Sequence, residues 1–167
     1  MWQTIPMLEW TEVTFIDGLK LRLVASDLGV RAIEFHPGPA SDGERNDDHA
    51  LLREVATQLQ EYFTGKRREF RLALDMHGTE FQKRVWRRLE TIPYGETRSY
   101  AQIAAVIGEP KAVRAVGAAN GANPIPIVVP CHRVIGSSGK LTGYGGGLEL
   151  KKKLLELEGA MAPALGL

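Results

Sequence analysis

The hydrophobic pattern of this 167-residue chain changes period once, near residue 78, and that change limits the folds open to it. Before it, apolar residues alternate. Residues 11–16 read as a strand, Asp17-Gly18 as a tight hairpin turn, and Leu19-Lys20-Leu21-Arg22-Leu23 as the returning strand. Residues 30–36 make a third strand. Residues 37–48, rich in Pro, Gly, Ser and Asp, form a loop before a helix that carries Leu51, Val55, Leu59 and Tyr62 or Phe63 on one side and ends at Gly65. Glu69-Phe70-Arg71-Leu72-Ala73-Leu74 alternates again, and Trp2 and Trp10 are assigned to packing. The first half is thus an α/β domain, a small antiparallel sheet with one helix and nothing catalytic in view.

After residues 75–78 the period becomes helical, giving domains 1–77 and 78–167. Thr79-x-x-Gln82 is a capping box, in which the hydroxyl and amide side chains satisfy backbone N–H groups at the helix start; Phe81, Val85 and Leu89, with Trp86 beside them, form the core face. Pro93-Tyr94-Gly95 breaks the chain. A second capping box, Ser99-x-x-Gln102, opens a helix with Tyr100, Ile103, Ala104 and Ile107 on one side, closed by Gly108 and Pro110. A third helix follows over residues 111–120. Two short helices joined by Gly108-Glu109-Pro110 have the helix-turn-helix pattern. In the second of them Ala112, Val116 and Ala119 share the inner side, whereas Arg114 points outward with Gly117 and Ala118 beside it. One arginine among stubs suits entry into a narrow groove; the same small residues also suit close helix packing.

Charge follows the same division. Residues 1–78 hold 9 Lys/Arg against 13 Asp/Glu, and residues 79–159 hold 12 against 7, so a net −4 adjoins a net +5. That asymmetry fits a polyanion-binding half joined to a non-binding half. No apolar stretch approaches the roughly 20 residues needed to span a bilayer, and the N-terminus lacks a secretory pattern, so a cytoplasmic protein is expected.

The basic half also holds the single cysteine, in Asn123-Pro124-Ile125-Pro126-Ile127-Val128-Val129-Pro130-Cys131-His132-Arg133-Val134. Residues 125–129 read as a short buried strand that stops at Pro130, leaving Cys131 at its end. A lone cysteine after an apolar run is most often a small core residue. Here a histidine, an arginine and an asparagine surround it, and thiol chemistry needs such neighbours to supply thiolate. One cysteine excludes an internal disulfide, and His36, His49 and His77 lack ligand spacing, so no metal or cofactor is expected. Further on, Ser137-Ser138-Gly139-Lys140 is a turn and Tyr144-Gly145-Gly146-Gly147 a loop. Residues 148–158 read as a helix with Leu150, Leu154 and Leu157 inward and Lys151, Lys152 and Lys153 in solvent. Glu158, at its C-terminal end, needs a cationic partner to offset the macrodipole. Residues 160–167 read as a tail.

Pro-Cys-His-Arg-Val, with the separated elements from Gly78 to Gly159, resembles the O6-alkylguanine-DNA alkyltransferases, the methylated-DNA–protein-cysteine methyltransferases. The resemblance implies a ribonuclease H-like first domain and a mainly α, winged-helix-like second one. It makes Cys131 the alkyl acceptor, His132 its base through a water, Glu158 the residue that polarises His132, Asn123 a hinge, and Tyr100 a donor to the flipped purine. It places Arg114, the finger that fills the vacated base stack, with Ala115, Gly117, Ala118 and Ser99 against DNA. Val134, Tyr144, Gly145 and Pro126 would line the pocket, the carbonyls of Cys131 and Val134 receiving the exocyclic amine and the Gly145 amide facing O6. The implied partner is double-stranded DNA containing O6-alkylguanine, approached from the minor groove by a monomer, with cooperative binding left open. Val113 and Gly145 depart from some relatives, and the first half lacks the zinc-binding cysteines found in others.

Two other readings compete. A non-enzymatic damage-recognition protein on the same scaffold would carry tryptophan at the cysteine position, and Cys131 argues against it. A cysteine hydrolase using Cys131, His132 and Glu158 would normally draw its histidine from a distant segment.

Overall fold

The structure, a computed structural model, describes residues 7–40 and 42–162. The chain divides into two compact units, Met1–His77 and Gly78–Leu167. Trp2 lies outside the described residues.

In the first unit, β1 (Glu9–Thr14) pairs antiparallel with β2 (Lys20–Ser26), which pairs antiparallel with β3 (Gly29–Phe35). Asp17 (φ 63°) and Gly18 (φ 77°) make the turn between β1 and β2, a left-handed pair that Asp and Gly tolerate. A fourth strand, β4 (Glu44–Arg45), lies in the segment expected to be loop and pairs parallel with β1, giving the order β3-β2-β1-β4. The alternation of residues 69–74 does not form a strand. Only Leu74 bridges to Val30, and Gln58 Nε2 from the helix takes the Arg71 carbonyl while its Oε1 accepts the Arg71 N–H. That helix, α1 (Ala50–Phe63), covers the sheet with Leu52, Val55, Leu59 and Tyr62, so Leu52 rather than Leu51 is the first core contact. Each such leucine contributes about 1.5–3 kcal/mol by burial. Arg22 is buried in mid-strand, where Glu12 and Glu34 pair with it at 2.9 and 3.2 Å, the Gly38 carbonyl accepts from it and the Trp10 ring lies 5.0 Å away.

In the second unit both capping boxes form. Thr79 caps α2 (Glu80–Leu89) reciprocally with Gln82, and Ser99 caps α3 (Tyr100–Val106) with Gln102. α2 buries Val85, Trp86 and Leu89, and the Trp86 indole donates to the Ala119 carbonyl at 2.8 Å, tying α2 to α4 (Val113–Gly121). Gly78 is required here, because a Cβ would meet the Trp86 ring at 2.4 Å. α4 begins two residues later than expected and buries Val116, Ala119 and Asn120. A two-stranded parallel sheet, β5 (Arg98–Ser99) with β6 (Val134–Ile135), anchors the start of α3 to the segment after the cysteine. The chain then loops through residues 136–147 to α5 (Leu148–Leu157).

Residues 125–129 are a tight turn, not a strand. Val129 N–H reaches back to the Ile125 carbonyl at 2.9 Å, Pro126 bridges Val129, and Ile127 sits at φ 73°. Two prolines remove the donors a ladder would need, and burial alone does not distinguish a strand from a packed turn. α5 also differs from expectation: it buries Lys151, Leu154 and Leu155. With Glu158 these occupy positions i, i+3, i+4 and i+7, one continuous face.

Candidate thiol site

Cys131 opens a 3₁₀ turn, Cys131–Arg133, directly after the 125–129 turn. Two asparagines fix this geometry. Asn123 Nδ2 donates to the Val129 carbonyl at 2.7 Å and its Oδ1 accepts from Ile125 N–H at 3.0 Å, so one side chain brackets the turn. Asn120, buried near the end of α4, donates to the Cys131 carbonyl at 3.3 Å.

His132 is fully buried and its Nε2 lies 2.8 Å from Glu158 Oε2. The same carboxylate accepts from Arg133 on both oxygens, Nε to Oε1 at 2.7 Å and Nη2 to Oε2 at 3.0 Å; Arg133 Nη1 donates to the Ile92 carbonyl at 2.7 Å. Arg133 is thus the cation that Glu158 was expected to need. With both carboxylate oxygens engaged by the guanidinium, the imidazole Nε2 is the donor in the third contact, which makes Nδ1 the ring's acceptor. Nδ1 is buried and has no protein partner. Burial pushes His132 below its ordinary value against the opposing pull of Glu158, so the ring is neutral at pH 7.

Cys131 retains 5% of its surface, and burial pushes its thiol upward; the Asn123 side chain and the charge of Lys151 pull the other way. The expected ready thiolate is therefore a thiol at rest, because desolvation outweighs both polar neighbours. Tyr144 has its hydroxyl buried, and burial, with Cys131 and Glu158 nearby, holds it protonated.

Lys151, expected in solvent, is wholly buried; its Nζ donates to the carbonyls of Val134 at 2.7 Å and Thr142 at 3.0 Å. Tyr100 Oη lies 2.9 Å from Thr142 Oγ1. The Cys131 and Val134 carbonyls thus each hold one protein donor and keep a second lone pair. Val134 and Pro126 are buried, whereas Gly145 is exposed in the turn where Gly147 N–H meets the Tyr144 carbonyl at 2.9 Å. On α4, Arg114, Ala115 and Ala118 are exposed and Gly117 half-buried, all on the side away from Val116 and Ala119. Ser99, whose hydroxyl is used as the α3 cap, borders a shallow cavity of about 260 Å³ with Arg98, Gln102 and Gly136.

Sequence reasoning brought Cys131, His132, Glu158 and Asn123 together but missed Asn120, Lys151 and the pairing of Arg133. Asn120 was detectable as a polar residue four after Val116 on the inner side of α4, and Lys151 by its spacing to Glu158.

A thiol, a neutral imidazole and a carboxylate, linked through one turn to a helix-turn-helix, define a thiol-centred protein of the helix-turn-helix class. Family comparison carries this further. Residues 80–160 match the model of the 6-O-methylguanine DNA methyltransferase DNA binding domain, and residues 20–76 match that of the 6-O-methylguanine DNA methyltransferase ribonuclease-like domain. A methylated-DNA–protein-cysteine methyltransferase of Mycolicibacterium paratuberculosis is 53% identical over 161 residues, 95% of this chain and 96% of its own. One from Mycobacterium bovis is 66% identical over 117 residues, 70% of this chain and 71% of its own. The crystal structure of Mycobacterium tuberculosis OGT in complex with DNA superposes with a TM-score of 0.84 at 47% identity, covering 93% of this chain and 96% of that one. The chain belongs to the 6-O-methylguanine DNA methyltransferase family.

Proposed function

We propose that this chain repairs DNA by direct reversal, moving the alkyl group of O6-alkylguanine in duplex DNA irreversibly onto Cys131. The observation that carries the reading is the ordering of His132, with Nε2–H on Glu158 and Nδ1 left as an acceptor beside the thiol turn. In the step, the S–C bond forms as the C–O6 bond breaks in line. The thiol proton passes through a water to His132 Nδ1, and the departing guanine takes a proton from Tyr100, which regains one from solvent. The net change is thiol plus alkylguanine to thioether plus guanine. A thioether offers water no carbonyl to attack, so each molecule acts once.

The target base is stacked in a duplex, and extruding it costs a few kcal/mol. Arg114, exposed among small residues on α4, offsets part of this by filling the gap, and the thin helix suits the minor groove. Phosphate contacts then dominate affinity, which falls steeply with salt. Chemistry resides in domain 78–167, with Tyr144, Gly145, Val134 and Pro126 around the base. A free thiol acceptor requires a reducing compartment, which supports action in the cytoplasm, as a monomer.

The test is intact mass after incubation with duplex DNA containing O6-methylguanine. A gain of one methylene-sized mass, absent in Cys131→Ser, is expected. Tight binding without mass gain would instead establish a recognition protein.

A further inference from the structure

Lys151 is the one buried cation that the proposed chemistry does not use. It stands on the face of α5 that also carries Leu154, Leu155 and Glu158, and its Nζ joins two segments: the carbonyl of Val134, immediately after the thiol turn, and the carbonyl of Thr142, in the middle of the 136–147 loop. Thr142 is held a second time, its hydroxyl meeting Tyr100 Oη. The loop between β6 and α5 is therefore pinned at one residue from two sides, by an ammonium through its backbone and by a phenol through its side chain.

Burying an ammonium is costly, and two carbonyls do not replace full hydration. A methionine or leucine would fill the same space at the helix face more cheaply. What the charge adds is a directional hold on the loop that also bears Tyr144 and Gly145. Both pinned groups are ones the reaction needs: a purine donating to Val134 O must share that carbonyl with Lys151, and a purine accepting from Tyr100 must displace Thr142.

We propose that Lys151 is a specificity-determining positioning residue, a clasp holding the 136–147 loop against the thiol turn so that the pocket admits small alkyl groups more readily than bulky ones. This rests on the alkyltransferase reading. Lys151 touches neither the sulfur nor the alkyl carbon; it acts through Thr142 and Val134.

The experiment compares single-turnover rates toward duplex DNA bearing O6-methylguanine and O6-benzylguanine for the parent, Lys151→Met and Thr142→Val. Thr142 is exposed, so its isosteric replacement removes the link to Tyr100 without a core defect. The benzyl-to-methyl rate ratio is expected to rise about fivefold or more in Lys151→Met and by a smaller factor in Thr142→Val, a change of the size a pocket's fit controls. Amide hydrogen exchange across residues 136–147 is expected to quicken in both. Should Lys151→Met fail to fold, Thr142→Val decides the matter. An unchanged ratio with unchanged loop exchange overturns the clasp, whereas a parent protein that takes up no alkyl group overturns the alkyltransferase reading instead.

Discussion

His132 Nε2 and Glu158 Oε2 lie 2.8 Å apart with both side chains wholly buried, and the carboxylate that orients the imidazole is itself held by Arg133. The imidazole is thereby fixed in one tautomer, its Nδ1 lone pair on the side not taken by the carboxylate. Proton transfer then starts from a neutral thiol and a neutral ring, which has consequences that solution measurements can check.

Transfer by this pair depends on a thiol and a neutral imidazole, not on free thiolate. His132 is pushed below 6.5 and Cys131 above 9.0, so the protonation state is constant between those values. The alkyl-transfer rate is expected to be flat from pH 6.5 to 9.0. An attack by pre-formed thiolate would instead climb about tenfold per pH unit over that range, which a pH series of single-turnover rates distinguishes.

Stability follows from the same shifts. For His132 the unfolded chain takes up protons as pH falls through 6.5 while the folded ring does not, so stability present above that value declines towards the lower folded value. For Cys131 the unfolded thiol ionises as pH rises past 9.0 while the folded thiol does not, and stability declines there too. Urea titrations at several pH values should place the maximum between these limits.

Arg133→Met removes the cation from the buried pair and strands Glu158. A loss of roughly 3–5 kcal/mol is expected, read from urea or thermal melting. In protein that remains folded, His132 loses a neighbouring positive charge that lowers it, so the acidic edge of the pH–rate profile should move upward.

Asn120→Ala leaves the Cys131 carbonyl without its donor in a buried position. The cost is about 1–3 kcal/mol, and transfer should slow on both duplex DNA and free O6-benzylguanine because the thiol turn itself loosens.

Arg114→Ala separates the two substrates. Arg114 is exposed on α4 and belongs to no part of the thiol site, so repair of duplex DNA should fall while reaction with the free base, which needs no extrusion, changes little. Equal losses on both would sink the finger role.

Much of this was readable in the chain because local rules and packing agreed. The capping boxes at Thr79 and Ser99 and the left-handed Asp17-Gly18 turn are short-range chemistry, and all three formed. Residues 125–129 were misread because apolar burial says nothing of backbone direction when two prolines and an asparagine bracket the segment. Lys151 was placed in solvent on charge alone, although its spacing to Leu154, Leu155 and Glu158 set it on the inner face. The short strand β4 has no pattern of its own; only its partner β1 makes it a strand.

The single amide that runs from Asn120 to the Cys131 carbonyl gives the recognition helix a mechanical stake in the state of the sulfur. α4 presents Arg114 outward at one end and grips the thiol turn from near its other end. Any shift of that turn as sulfur gains carbon must be absorbed by this strut or passed along it, so completion of the chemistry is reported at the groove-facing surface without a separate messenger.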